Sequence, residues 1–228
     1  MNTSLSLNSC PSCLLEIDYF FNDKEKKEST QDAPHPFSSS LDRYAVIFSE
    51  GSYPKGVFYI HTGIVKVYKH GNQGKEQIIQ IFKSGDLLGF RAMLSEKNYN
   101  VHAQCLEKTE ICFISKKDFM TYLDSNPSIR NELIRGLSME LQDRADYLTD
   151  MAQKSVKQRT AMSLVLLYDI YNEKEINLSR EDIANMVGTA TETLIRLLKE
   201  FKEEAIIDVS GRKIKVVDLE KLKQLTLA

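Results

Sequence analysis

Nowhere in the 228 residues is there a run of about 18 apolar side chains, the length a membrane-spanning helix needs. The opening MNTSLSLNSCPSCLLEIDYFF lacks the basic start of a secretory signal, and its short apolar stretch from Leu14 to Phe21 is broken by Glu16 and Asp18. A cytoplasmic location is therefore expected. In that reducing compartment the four cysteines would be free, redox-active or metal-binding rather than joined in disulfides. An excess of either charge is missing too: 30 basic against 32 acidic residues leave a net charge of −2. No global basic field announces nucleic acid, but one local basic face is enough to bind it. There is no internal repeat, no P-loop and no G-x-S-x-G elbow. The four histidines, His35, His61, His70 and His102, are scattered without an H-x-H pair. A cupin-like metal enzyme, the alternative from a different class, thus has little to build on.

What is present has a clear order. Residues 22–40 begin with a mixed charge run and continue as the Pro/Ser-rich STQDAPHPFSSS, which reads as a loop or loose extension. From about 43 to 115 short alternating segments punctuated by turn residues predict an antiparallel barrel or jelly roll. Val57–Ile60 and Ile64–Tyr68 flank Thr62-Gly63 as a hairpin signal, and His102–Leu106 and Glu110–Ile114 flank Lys108-Thr109. Past Pro127 the period changes. Ile134, Leu137, Leu141, Leu148 and Met151 take the a and d places of a heptad, with Arg144 in the remaining d place. A helix of roughly 25 residues with one apolar seam suits a two-stranded coiled coil; packing on its own barrel is the alternative.

From 155 onward three helices and a hairpin follow. Ser179 with Asp182 forms a capping signature before a helix that stops at Gly188, the next helix starts at Thr191, and Ile206–Val209 with Lys213–Val217 makes a hairpin. Two short helices joined at a glycine, then a hairpin, are a winged helix-turn-helix, whose second helix can enter the major groove. On that helix Leu194, Leu197, Leu198 and Phe201 form the apolar face, and Thr191, Glu192, Ile195, Arg196 and Lys199 lie away from it. Glu192 and Arg196, one turn apart, can reach neighbouring base pairs, Arg gripping guanine and Glu accepting from cytosine. An i, i+4 ion pair on a solvated face is the plainer reading of the same two residues. Arg212 and Lys213 on the hairpin suit phosphate contact.

The stretch INLSREDIANMVGTATETLIRLLKEFKEEAIIDVSGRKIKVV resembles the DNA-binding domain of the CRP/FNR family, named for the cyclic-AMP receptor protein and the fumarate and nitrate reduction regulator. GSYPKGVFYIHTGIVKVYKHGNQGKEQIIQIFKSGDLLGF resembles that family's β-roll. The resemblance implies an α+β chain with four parts: an N-terminal extension with CxxC at 1–42, a jelly-roll sensor at 43–126, a dimerisation helix at 127–154 and the winged domain at 155–228. It implies a homodimer on a palindromic site with a TGA-like core, working with RNA polymerase. Glu192 and Arg196 match the family's base-reading pair. Ser179, Thr189, Thr191, Ile195, Lys199, Arg212 and Lys213 complete the expected DNA-contacting set. Ala190 stands where the family has a capping Ser or Thr, so Thr189 is the candidate cap, and Ile195 replaces a serine.

Family members that bind cyclic AMP use Gly-Glu for the ribose and Arg-Ser or Arg-Thr for the phosphate. Here Phe90 follows Gly89, Tyr99-Asn100-Val101 replaces the arginine region, and no arginine lies between Arg91 and Arg130. A buried phosphate without a cation is costly, so cyclic AMP is disfavoured unless Arg91 substitutes. Cys112 resembles the β-roll cluster ligand of the fumarate and nitrate regulator, and Cys10 and Cys13 resemble part of its N-terminal motif, with one cysteine fewer. If Lys108-Thr109 is a two-residue turn, Cys105 faces Cys112 across it. Cys10, Cys13, Cys105 and Cys112 would then supply four thiolates to a [4Fe–4S] cluster or to zinc. Core packing, simple thiol redox and an iron-free small effector remain open alternatives.

Overall fold

A computed structural model describes residues 38–71 and 74–227. The described residues form two compact units, one within 38–69 and 79–141 and one within 70–71, 74–78 and 142–227.

The first unit is a β-roll of two four-stranded sheets. One runs in the order β1 (Ser38–Leu41), β8 (Thr109–Ser115), β3 (Gly56–Thr62), β6 (Leu87–Leu88). The other runs β2 (Val46–Phe48), β7 (His102–Cys105), β4 (Val65–His70), β5 (Glu76–Phe82). Alternation sends Phe58, Ile60, Ile111 and Phe113 inward, to pack with Val65, Val67, Phe82, Ala103 and Cys105 of the facing sheet. The opposite side of the first sheet, with Val57, Tyr59, Cys112 and Ile114, is also buried. It is covered by α1 (Phe90–Leu94), α2 (Lys116–Ser125) and the start of α3 (Pro127–Gln153), through Phe90, Phe119, Leu123, Ile129 and Leu133. The first sheet is thus covered on both faces, which is why the middles of β3 and β8, Val57–Ile60 and Ile111–Ile114, are apolar without alternation.

Three local expectations are corrected. Residues 38–41 are a strand rather than loop, Ser38 lying opposite Cys112. The segments flanking Thr62-Gly63 do not pair with each other, because β3 bonds to β6 and β8 whereas β4 bonds to β5 and β7. Gly63 (φ 97°) turns the chain from one sheet to the other, and a Cβ there would meet the Thr109 side chain at 2.5 Å. For the same reason β7 and β8 are no hairpin; residues 106–108 cross between sheets.

In the second unit α4 (Val156–Ile170) starts at a capping box of Ser155 and Gln158. α5 (Arg180–Val187) and α6 (Thr191–Glu203) follow, then the β9 (Ile207–Ser210) and β10 (Lys213–Val216) hairpin, and α7 (Leu219–Gln224), which the sequence reading missed. Among the described residues no helix is long and apolar enough to cross a membrane.

Candidate functional site

The α5–turn–α6 segment is set by local chemistry. Ser179 accepts from the Asp182 amide to start α5, and Gly188 (φ 73°) ends it. A Cβ at Gly188 would also lie 2.9 Å from Met151 Cε, a contact the flexible end of that side chain can relieve, so it is the positive φ that calls for glycine. Thr189 does not cap α6. It is buried, its amide donates to Ala184 O (3.0 Å), and its carbonyl accepts from Lys75 Nζ (2.9 Å). Ala190 is the N-cap and makes no side-chain cap bond. Leu194, Leu197, Leu198 and Phe201 are buried as a stripe of i, i+3, i+4, i+7. That packing turns Glu192, Ile195, Arg196 and Lys199 to solvent, with Thr191 half-buried. Among the described residues no ion pair joins Glu192 to Arg196, and Lys199 instead lies 3.7 Å from Glu203. The face therefore presents one acid, one guanidinium and an exposed Ile195.

The wing is held by residues the sequence reading passed over. Arg180 donates to the carbonyls of Arg212 and Gly211 (both 3.0 Å), tying the hairpin tip to the first turn of α5. Burial first, and the nearby Arg212 charge second, lower the pKa of Arg180. Lys202 grips Val209 O (2.8 Å) and Asp208 (2.9 Å). Arg212 is half-buried, and Lys213 is exposed but pairs with Glu175 at 2.7 Å. Arg159 donates to the carbonyls of Val187, Met151 and Lys154 (3.1, 3.3 and 2.8 Å), fixing the end of α5 to the start of α4. A lone surface arginine in sequence carries no signal of that role.

In the roll, Tyr99 stacks on Phe48 with ring centroids 3.7 Å apart and planes 8° apart. Burial pushes its phenol pKa up to about 12. A Cβ at Gly89 would come 3.0 Å from the Tyr99 hydroxyl. Arg91 is turned away from the interior: Nε donates to Glu140 (2.8 Å) on α3 and a terminal nitrogen to Gln80 (3.2 Å). Its guanidinium is engaged there by a carboxylate and an amide oxygen. An open cavity of about 350 Å³ is lined by Val46, Phe48, Tyr53, Lys55, Phe58 and Tyr99 among others, an aromatic setting.

The cysteines separate. Cys105 sits between the sheets, opposite Val65, and burial raises its thiol pKa, with a smaller opposing effect from Thr109. Cys112 lies on the far side of the first sheet, with no exposed surface, 3.0 Å from His61 Nε2. The two thiols thus belong to different sheets and different apolar clusters, which corrects the expectation that they face each other. Cys10 and Cys13 lie outside the described residues. Among the described residues no group of three or more His, Cys, Asp or Glu could hold a metal ion. The donors present at Cys112 are a thiol and an imidazole, a soft and borderline pair that suits zinc and iron.

Along α3, Ile134, Leu141 and Leu148, spaced by seven, are 57%, 73% and 68% exposed. Leu137 packs against the cluster beneath the first sheet, continuing the Ile129–Leu133 row at i+4, and Met151 is half-buried beside Gly188. Arg144 is half-buried and lies close enough to Tyr147 for its charge to oppose the burial-driven rise in that phenol's pKa. The a places of the heptad therefore face outward while two of the d places serve the chain's own packing.

Residues 39–126 match the family described as cyclic nucleotide-binding domain, and residues 145–225 the Crp-like helix-turn-helix domain. The anaerobic regulatory protein of Haemophilus influenzae is 27% identical over 218 residues, 92% of this chain and 80% of that one. The fumarate and nitrate reduction regulatory protein of Vibrio cholerae is 24% identical, covering 97% and 90%. The solved structure of FixK2 from Bradyrhizobium japonicum shares the fold with a TM-score of 0.75 at 22% identity, over 84% of this chain and 97% of that one.

Proposed function

The chain belongs to the CRP/FNR family of DNA-binding transcription regulators, and from that premise we propose that it acts in the cytoplasm as a homodimer on a two-fold symmetric DNA site, working with RNA polymerase. The observation that carries the reading is the face of α6, where Glu192 and Arg196 stand exposed one turn apart over a fully buried leucine stripe. Half-sites lie about one helical turn apart, each with a TGA-like core. Thr191, Ile195 and Lys199 flank the base-reading pair, Ser179 and Thr189 lie near the backbone, and Arg212 and Lys213 meet phosphates from the wing.

In this reading the signal is not cyclic AMP, supported by the Tyr99–Phe48 stack beside Gly89 and by the engagement of Arg91 with Glu140 and Gln80. A redox- or oxygen-responsive centre anchored at Cys112 fits the names of the anaerobic relatives. A [4Fe–4S] cluster is the centre the resemblance implies, with Cys10 and Cys13 as further ligands. Iron and sulfide analysis of anaerobically purified protein tests it. The second reading, a small iron-free effector, is favoured by the aromatic cavity beside Tyr99.

The DNA assignment is tested by competition binding. Arg196→Ala should cost about 1–3 kcal/mol and relax preference at one G·C pair. Lys213→Ala should weaken all sequences alike and flatten the salt dependence, with part of the loss offset because the Glu175 pair no longer has to open. Unchanged affinity and base preference in Arg196→Ala would refute the assigned face.

A further inference from the structure

The exposed residues of α6 are Glu192, Ile195, Arg196, Lys199, Lys202 and Glu203, and Ile195 is the one apolar side chain among them, 50% exposed. The buried leucine stripe decides this placement. At 3.6 residues per turn Ile195 stands about 100° round the helix from Leu194 and about 60° from Glu192, so it forms a shoulder beside the polar face. Its Cβ leans towards the helix N-terminus, over the turn that holds Thr191 and Glu192. That is the end of a recognition helix which meets base edges. Lys199, the long stem at i+4 that could cover it, is drawn the other way, towards Glu203 at 3.7 Å. Lys202 is engaged with Val209 and Asp208 of the wing. A β-branched apolar surface is therefore left open between an acid and a guanidinium.

We propose that Ile195 is a specificity residue that reads the 5-methyl group of a thymine lying within two base pairs of the guanine gripped by Arg196. The proposal rests on the reading of α6 as the helix that enters the major groove. In that groove every base pair shows hydrogen-bond donors and acceptors, and only T·A adds a methyl group. Isoleucine has no hydrogen-bonding atom in its side chain. A polar base edge pressed against it loses its water and gains no partner. Cytosine presents an amino donor there and no methyl, so it meets Ile195 with nothing to offset that loss. Thymine brings an apolar group to an apolar group. The preference thus has an attractive part, methyl on isoleucine, and a repulsive part, the stranded cytosine amine. The Cα atoms of Ile195 and Arg196 are about 3.8 Å apart, close to the 3.4 Å step of the duplex, and the longer reach of arginine allows about one step more. Burying one methyl-sized group contributes about 0.8 kcal/mol, which is about fourfold in affinity for each half-site at 1.4 kcal/mol per factor of ten.

The test lets the full chain, purified anaerobically, select its site from a randomised duplex pool. Each thymine of the selected half-site is then replaced by 2′-deoxyuridine, which removes the 5-methyl group and keeps every hydrogen-bonding atom. In the parent one such position should weaken binding about fourfold when one half-site is changed and roughly 15-fold when both are. In Ile195→Ala, whose site is exposed and whose circular dichroism should match the parent, the same replacement should change affinity less than twofold. Cytosine at that position should bind more weakly in the parent, and 5-methylcytosine should regain about fourfold in the parent but not in Ile195→Ala. A methyl effect of equal size in Ile195→Ala means another side chain reads the methyl, and the proposal falls. If no thymine is methyl-sensitive in the parent while Arg196→Ala relaxes preference at one G·C pair, the recognition helix stands and the role of Ile195 does not. A chain that enriches no sequence, or whose Ile195→Ala and Arg196→Ala variants both keep its affinity and base preference, defeats the assigned face and this proposal together.

Discussion

Replacing Leu141 by lysine probes the proposed dimer seam with little disturbance to the fold. Leu141 is 73% exposed in the isolated chain, and Ile134 and Leu148, seven residues to either side, are 57% and 68% exposed. Fully burying a leucine contributes about 1.5–3 kcal/mol, so covering the exposed fraction contributes about 1–2 kcal/mol per copy. A two-fold interface loses it twice, about 2–4 kcal/mol, before any cost of desolvating two opposed ammonium groups. The dimer dissociation constant should rise about 30- to 700-fold, at 1.4 kcal/mol per factor of ten. Sedimentation velocity over a concentration series measures it, and affinity for a full palindrome should fall while the circular dichroism spectrum stays that of the parent. Leu137→Ala is the contrast: that side chain packs under the first sheet, so its loss should lower the unit's own stability, by about 2–5 kcal/mol at most for a fully buried leucine. A Leu141→Lys protein that sediments as a dimer at the parent's concentrations would show that the seam lies elsewhere on the chain.

Two further outcomes follow from the same packing. Arg159→Met keeps the apolar stem but abandons three backbone carbonyls, which should cost about 2–4 kcal/mol in denaturant unfolding; a loss below about 0.5 kcal/mol would mean water replaces the guanidinium without penalty. Cyclic AMP should give no binding heat in calorimetry at physiological concentrations, because Tyr99 occupies the region beside Gly89; micromolar binding that also strengthened DNA affinity would overturn this.

The winged domain was legible in the sequence because its signals are local. A serine three residues ahead of Asp182, a glycine at the left-handed end of α5, and leucines at helical spacing act within one or two turns, whatever the rest of the chain does. The extent of α3 was legible for the same reason, being a change of period after Pro127. The roll was legible only as a set of strands. Alternation at period two reads the same whether a strand bonds to its sequence neighbour or to one in another sheet, so the segments around Gly63 and those around Lys108 looked like hairpins and are crossings instead. That choice decides which cysteine meets which partner: it puts Cys105 between the sheets and Cys112 beside His61, 51 residues away. The split use of α3 was equally hidden, since one heptad pattern leaves Ile134, Leu141 and Leu148 exposed and commits Leu137 to the chain's own sheet. Local sequence determined the elements and the outward face of α6; only tertiary pairing, which depends on contacts between residues far apart in the chain, determined the surroundings of the cysteines.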